Sequence, residues 1–256
     1  MKIRFLGAHS TTSARTGCTS ILIDDILAVD AGALAGSLSF EEQARLQAVL
    51  LTHQHYDHLR DIPTLGMNLF LLKQTLTLYM PQPVYELLTA HLLNDVLYPD
   101  YFKRPPEKPI FKLVIIEAGK SENIAGYEVL PVPVKHAVPT VGCRITAADG
   151  KQVFITSDTG PGLAECWQQV SPQILVIELT SPDKDKEASI QHGHLTPSLL
   201  QKELESFREI KGYLPQVVVM HLNPLDENEI KAEISGVEKA LKIKIRFARE
   251  GMIINV

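Results

Sequence analysis

Cysteine is scarce: the 256 residues hold only Cys18, Cys143 and Cys166, an odd set with no Cys-x-x-Cys pair. That excludes a disulfide framework and suits a reducing compartment, so the expected location is the cytoplasm. Long apolar runs are missing too. Ala48–Leu51 and Leu69–Leu72 are typical, far short of the about 18 residues a membrane-spanning helix needs. The opening MKIRFLGAHS has too short an apolar stretch for a signal peptide. No basic tail or stripe stands out, and 25 Lys and Arg against 30 Asp and Glu leave a net charge of −5. Membrane and non-specific nucleic-acid binding are therefore disfavoured. Repeats, low-complexity tracts and Gly/Ser linkers are absent, which excludes rods and arrays. What remains, 45% hydrophobic and 21% charged, is an ordinary globular chain.

Apolar periodicity gives the outline. Lys2–Leu6 reads as a strand. Ser20–Ile23 and Ile26–Val29 flank Asp24-Asp25 as a hairpin. Further strands are expected at Leu46–Leu51, Leu113–Ile116, Tyr127–Val134, Val153–Ile155, Ile174–Ile177 and Val217–Met220, and a solvent-lapped one from Lys242 to Phe247. Helical spacing links Val84, Leu87, Leu88, His91, Leu92 and Val96, which makes His91 a core histidine. It also links Leu163, Trp167 and Val170; Leu200, Leu204, Phe207 and Ile210, with Thr196 as cap and Pro197 in the first turn; and Ile230, Ile234, Val237 and Leu241. These elements predict one layered α/β domain over residues 1–256, with a helical insertion around 81–109.

Nine histidines carry the functional reading, and three fall in six residues, His53-Gln54-His55-Tyr56-Asp57-His58. The cluster follows the apolar run LQAVLLT, so it sits at the C-terminal end of a strand, where α/β enzymes place ligands. His136 follows YEVLPVPVK, Asp158 follows QVFITS and His221 follows QVVVM. Strands of one sheet could thus aim His53, His55, Asp57, His58, His136, Asp158 and His221 at one place. Seven N and O donors without a thiolate suit zinc, then manganese or iron. They are too many for one tetrahedral ion and fit two sharing a carboxylate, roughly 3.5–4 Å apart, as in hydrolytic two-metal sites.

HQHYDH resembles the HxHxDH signature of the metallo-β-lactamase-fold hydrolases, and the resemblance runs along nearly the whole chain. It implies an αββα sandwich. It implies one divalent metal on His53, His55 and His136, another on Asp57, His58 and His221, with Asp158 bridging and Asp30 of AVDAG supporting the site from behind. The signature departs from many members at Leu59-Arg60-Asp61, where a small residue is usual; Arg60 and Asp61 read as a surface pair.

Ser157-Asp158-Thr159-Gly160 and Gly193-His194-Leu195-Thr196-Pro197 resemble the phosphodiesterase branch, above all the class II cyclic-nucleotide phosphodiesterases, and more distantly the RNase Z type endonucleases. The expected activity is hydrolysis of a small, cyclic nucleotide diester by a hydroxide shared between the two metals. Asp57 would orient that hydroxide. His194, two residues before a helix start whose N–H groups favour an anion, would protonate the leaving oxygen. The hydrophilic stretch SPDKDKEAS would present His194 as a flexible loop, with His192 a weaker candidate beside it. The alternatives are an RNA-processing endonuclease, for which no basic arm is visible, a metallo-hydrolase of thioesters or other esters, or a non-catalytic metal-binding protein. The apolar helix of the insertion would be the interface of any homodimer.

Overall fold

The computed structural model describes residues 1–256. Fourteen strands form two seven-stranded sheets. The first, in the order β14-β1-β2-β3-β4-β5-β6, is built from β1 (Lys2–Gly7), β2 (Ser20–Ile23), β3 (Leu27–Val29), β4 (Ala48–Leu50), β5 (Leu76–Met80), β6 (Phe111–Ile115) and β14 (Ile253–Asn255). The second, in the order β13-β12-β11-β10-β9-β8-β7, takes β7 (Glu122–Ile124), β8 (Tyr127–Val134), β9 (Thr140–Thr146), β10 (Gln152–Ile155), β11 (Ile174–Glu178), β12 (Gln216–Met220) and β13 (Ile245–Phe247). Nine helices accompany them: α1 (Leu34–Ser37), α2 (Phe40–Arg45), α3 (Tyr56–Leu59), α4 (Ile62–Leu71), α5 (Gln82–Leu87), α6 (Ala164–Gln169), α7 (Lys186–His192), α8 (Pro197–Lys211) and α9 (Glu227–Leu241).

Strand alternation explains the layers. Ile174 and Val176 of β11 face one way, into an apolar layer with Ile3, Phe5, Ile21, Val29 and Ile155 between the sheets. Leu175 and Ile177 face the other way, against Trp167, Leu204, Phe207 and Ile234 of α6, α8 and α9. On the far side Leu22, Val49 and Leu78 of the first sheet pack on Leu59, Ile62, Leu65 and Val84. Three apolar interfaces between four layers, two of sheet and two of helices, make the αββα sandwich that the signature implied.

Topology decides where the ligands go. β3, β4, β5 and β6 run parallel in the first sheet, as do β10, β11, β12 and β13 in the second. β8 shares the direction of β10, because both are antiparallel to β9. The segments after β4, β8, β10 and β12 therefore emerge from both sheets, not one, toward a common edge.

Four local expectations fail for identifiable reasons. The helix expected as far as Val96 stops early: after α5 comes a π-helical turn, Leu88–Leu92, in which His91 is exposed rather than buried in the core. Asn94 ends it by accepting from Val96 and Leu97 N–H groups (3.0 and 2.9 Å), which leaves Val96 in solvent. SPDKDKEAS is ordered, as a 3₁₀ turn and α7. Thr196 heads α8 but does not cap it; Asp183 accepts from Ser198 N (2.9 Å) and from the Thr196 hydroxyl (2.6 Å). Asp61 is buried rather than on the surface, accepting from Gly36 N at 3.1 Å.

Gly32 fixes how close β3 comes to α3. A Cβ there would fall on the Asp57 carbonyl oxygen and 2.7 Å from the Cys18 Cβ. Gly32→Ala should therefore destabilise the fold by about 1–3 kcal/mol, the usual range for overpacking, and loosen any metal held beside it. Thermal unfolding with and without a chelator reads both effects.

Candidate metal centre

Every ligand candidate follows a buried strand. β4 ends at Leu50, and Leu51-Thr52 lead into His53 and α3, which carries Asp57 and His58. β8 leads to His136, β10 to Asp158 and β12 to His221. Three backbones at this edge take left-handed conformations without glycine: Asp30 (φ 58°), Ser157 (φ 56°) and His221 (φ 64°). Such strain gathers where a side chain must be aimed.

The seven side chains converge in two groups that share Asp158: His53, His55, His136 and Asp158; and Asp57, His58, Asp158 and His221, the ligand atoms in each lying within 4.8 Å of one another. Asp158 Oδ2 faces His53 Nε2 at 3.7 Å, His136 Nε2 at 3.8 Å and His221 Nε2 at 3.4 Å, while Oδ1 faces His58 Nε2 at 3.2 Å. Asp57 Oδ2 is 3.1 Å from His221 Nε2 and 3.6 Å from His58 Nε2.

Outer hydrogen bonds determine which ring nitrogen faces inward. His58 donates from Nδ1 to Asp30 at 2.7 Å, and His136 from Nδ1 to the Gly193 carbonyl at 2.9 Å. The Thr52 hydroxyl donates to Asp30, so it accepts from His53 Nδ1 (3.1 Å). The Thr180 hydroxyl donates to Glu178 and so accepts from His221 Nδ1 (2.9 Å). In all four rings Nε2 is the nitrogen that points at the shared space, the atom a metal would take; His221 Nε2 here donates to Asp57 Oδ2 at 3.1 Å.

The donor set fits divalent cations. His53 Nε2, His58 Nε2 and Asp158 Oδ1 are buried and have no hydrogen-bond partner, a costly state for protein alone. Burial, and then the charge of His58, push His53 well below its ordinary pKa; burial likewise lowers His55 and His136. Those rings are neutral, as coordination requires. Burial opposes ionisation of Asp158, but His221 and His58 outweigh it and hold the carboxyl well below the usual range. Burial also disfavours charge on His58, yet Asp158 and Asp30 raise it well above normal. The charge on His58 thus offsets part of the carboxylate charge that a cation would otherwise meet, beside the neutral rings of His53, His55 and His136.

His194 lies beside both groups and outside them. Its ring stacks on His221 at 5.5 Å and meets His136 edge-on at 5.0 Å. Nδ1 faces Glu178 Oε1 at 3.2 Å, and Leu195 N donates to the same oxygen at 2.9 Å. Glu178, His194 and His221 converge as a third group, but there the ring nitrogens engaged are the outward Nδ1 atoms, so it braces the centre. Gly193 makes the approach possible: its φ is 75°, and a Cβ would sit 2.7 Å from the His136 Cα. The anion reading of the α8 start does not hold, since the Asp183 carboxylate already occupies it. His192 is exposed in the last turn of α7. His9 is buried elsewhere, 2.7 Å from Glu250.

Sequence reasoning missed Thr52, Glu178 and Thr180. The rule that found Asp158 and His221, a polar side chain ending a buried strand, also marks Glu178 after ILVI.

Fold and centre together define a metal-dependent hydrolase of the metallo-β-lactamase fold. Residues 19–222 match the β-lactamase superfamily domain, and the chain belongs to that superfamily. Among solved structures it is similar to unliganded yeast PDE1 (TM-score 0.86, 16% identity, 100% of this chain and 99% of that one). It also resembles YhfI, a metallo-β-lactamase fold protein of Bacillus subtilis (0.75, 18%, 99% and 98%), and the short form of human tRNase Z (0.69, 17%, 100% and 99%). No curated protein matches it in sequence. The chain is thus a metallo-β-lactamase-fold hydrolase with phosphodiesterase-type relatives.

Asp30, 1% exposed, supports His58 directly and His53 through Thr52. Asp30→Asn should weaken metal binding by roughly 10–100-fold, the usual cost of losing such a partner, without removing a ligand. Competition with a chromophoric chelator measures it; unchanged affinity would mean that Asp30 serves the fold alone.

Proposed function

We propose that the chain is a phosphodiesterase that hydrolyses small nucleotide diesters, cyclic nucleotides foremost, using two divalent cations, zinc before manganese or iron. The observation carrying this reading is the His194–Glu178 pair, an imidazole braced by a buried carboxylate 3.2 Å away and set beside both ligand groups without belonging to either. His53, His55, His136 and Asp158 would hold one cation; Asp57, His58, His221 and Asp158 the other. Bound there, the cations supply Lewis-acid charge and a water acidic enough to attack at neutral pH.

The remaining steps belong to side chains. Asp57 is kept ionised: burial opposes this, but the His221 hydrogen bond and the His58 charge prevail. It takes the hydrogen bond of the attacking water and orients it toward phosphorus. One P–O bond forms to that oxygen and the bond to the departing alkoxide breaks. His194 has its Nδ1 committed to Glu178, so Nε2 carries the proton that the leaving oxygen needs. Burial lowers the basicity of His194, but the Glu178 hydrogen bond and charge, with Asp158 and Asp57, push its pKa up to about 9. The Glu178 share of that shift, which bound cations would not cancel, favours a protonated donor at neutral pH. Tyr56, 62% exposed between His55 and Asp57, would offer a nucleobase a ring to stack on.

The likeness to yeast PDE1 supports this substrate class. The likeness to human tRNase Z favours an RNA-processing reading, but the cations of the insertion are engaged with the chain itself. Lys103 pairs with Asp100, Arg104 with Asp95, and Lys108 donates to the Lys73 carbonyl. No free basic arm is left there to grip RNA.

Elemental analysis should find two metals per chain. Asp158→Ala should lose both and His58→Ala chiefly one, since only Asp158 serves both groups. A reproducible single ion in the wild type after supplementation would end the two-metal reading.

His194→Ala should keep its metals yet slow a cyclic nucleotide by ~10²–10⁴-fold, the range of general acid catalysis. A p-nitrophenyl phosphodiester, whose leaving group departs without a proton, should be slowed far less. An equal loss on both would make His194 a phosphate contact.

Glu178→Gln should move the basic limb of the kcat–pH profile to lower pH. The donor acts only below its pKa, and removing the carboxylate lowers that pKa. A fixed limb would mean that another group sets it.

A further inference from the structure

We propose that a second site, a groove on the outer side of the first sheet, binds a small phosphate compound without a nucleobase. The groove has a volume of about 500 Å³, and none of its wall residues belongs to the metal centre. Arg4 of β1, Arg15 of the loop after β1 and Arg60 at the end of α3 line it.

Two of its three guanidinium groups lack an ion-pair partner. Arg15 forms no ion pair and its guanidinium has no hydrogen bond within the chain, while Arg60 forms no ion pair and lies beside the Cys18 thiol and Asp61. Arg4 reaches Glu42 through Nη2 at 2.8 Å, but its Nε is buried and lacks an acceptor. The two acidic side chains in the wall are already engaged. Asp61 accepts from Gly36 N, and Glu250 binds His9 at 2.7 Å and Gly17 N at 2.9 Å. An occupant that brings acceptor oxygens would satisfy three guanidinium groups at once.

The walls also select the ligand class. Guanidinium forks match phosphoryl oxygens. Only three of fifteen wall residues are hydrophobic and none is aromatic, so a nucleobase finds no face to stack on. A free phosphate or a compact phosphate ester fits; a nucleotide gains nothing from its base. Arg60 lies two residues beyond His58, so a ligand drawing on it bears on the helix that carries Asp57 and His58.

Calorimetric titration of the metal-loaded protein with inorganic phosphate and with ribose 5-phosphate tests this, the two probes separating a free ion from an ester. The metal centre also attracts phosphate, so each titration is repeated in Asp158→Ala. A binding event is expected that survives Asp158→Ala and weakens at least tenfold in Arg15→Ala and in Arg60→Gln, each removing charge-assisted hydrogen bonds. Arg15 is exposed on a loop, so its variant folds and keeps the test decisive. Binding that disappears entirely in Asp158→Ala, or is untouched by both arginine changes, overturns the proposal. AMP binding at this event more than tenfold tighter than ribose 5-phosphate overturns the base-free assignment.

Discussion

Two buried carboxylates, Asp30 and Glu178, are the constraint on which the centre depends. Each is 1% exposed, and a carboxylate so buried is tolerated only if its oxygens are fully engaged. Asp30 engages Thr52 N, the Thr52 hydroxyl and His58 Nδ1. Glu178 engages Leu195 N, the Thr180 hydroxyl and His194 Nδ1. These bonds do two jobs. They satisfy the acid, and they turn the imidazoles so that the opposite nitrogen faces the reaction space. Burial and ligand geometry are therefore one requirement.

The same wiring appears in each sheet. A carboxylate at the end of a central strand, Asp30 after β3 or Glu178 at the end of β11, holds one histidine directly and another through a threonine. His58 and His53 depend on the first sheet in this way, His194 and His221 on the second. The difference lies in what faces the shared space. In the first sheet both rings join ligand groups. In the second, His221 does and His194 stands aside. An identical support thus yields a ligand on one side and a proton donor on the other, because only His194 keeps its distance from both groups.

The ligand set was legible in the sequence because buried strands announce themselves as apolar runs, and a histidine or aspartate directly after one is conspicuous. The layering was legible for the same reason, at Ile174–Ile177 and Val217–Met220 above all. What escaped was decided by contacts between distant segments. Nothing local shows that Asp183 caps α8, since its partner Ser198 lies fifteen positions on. Nothing local shows that Asn94 would divert the chain and expose His91 and Val96. Arg60-Asp61 looks like a surface pair until α1 folds over Asp61. The expectation that one sheet supplies all the ligands failed because adjacency of strands across two sheets leaves no trace in spacing.

Convergence from two sheets has a mechanical consequence. A centre drawn from one sheet could survive sliding of that sheet over its neighbour, but this one cannot. Asp158 comes from the second sheet and His58 from the first, and their side chains stand 3.2 Å apart. The apolar layer between the sheets must therefore hold its register to within a fraction of an ångström. Two clamps reinforce it at the site. His221, in its left-handed conformation, donates its N–H to the Ala8 carbonyl at 2.6 Å, tying β12 to the end of β1. One residue on, His9 grips Glu250, which also accepts from Gly17 N, so the segment between β13 and β14 closes over the same corner. The last strand then pairs with the first sheet after its predecessor β13 has paired with the second. The chain's C-terminal end thus stitches together the two sheets whose alignment the metal ligands require.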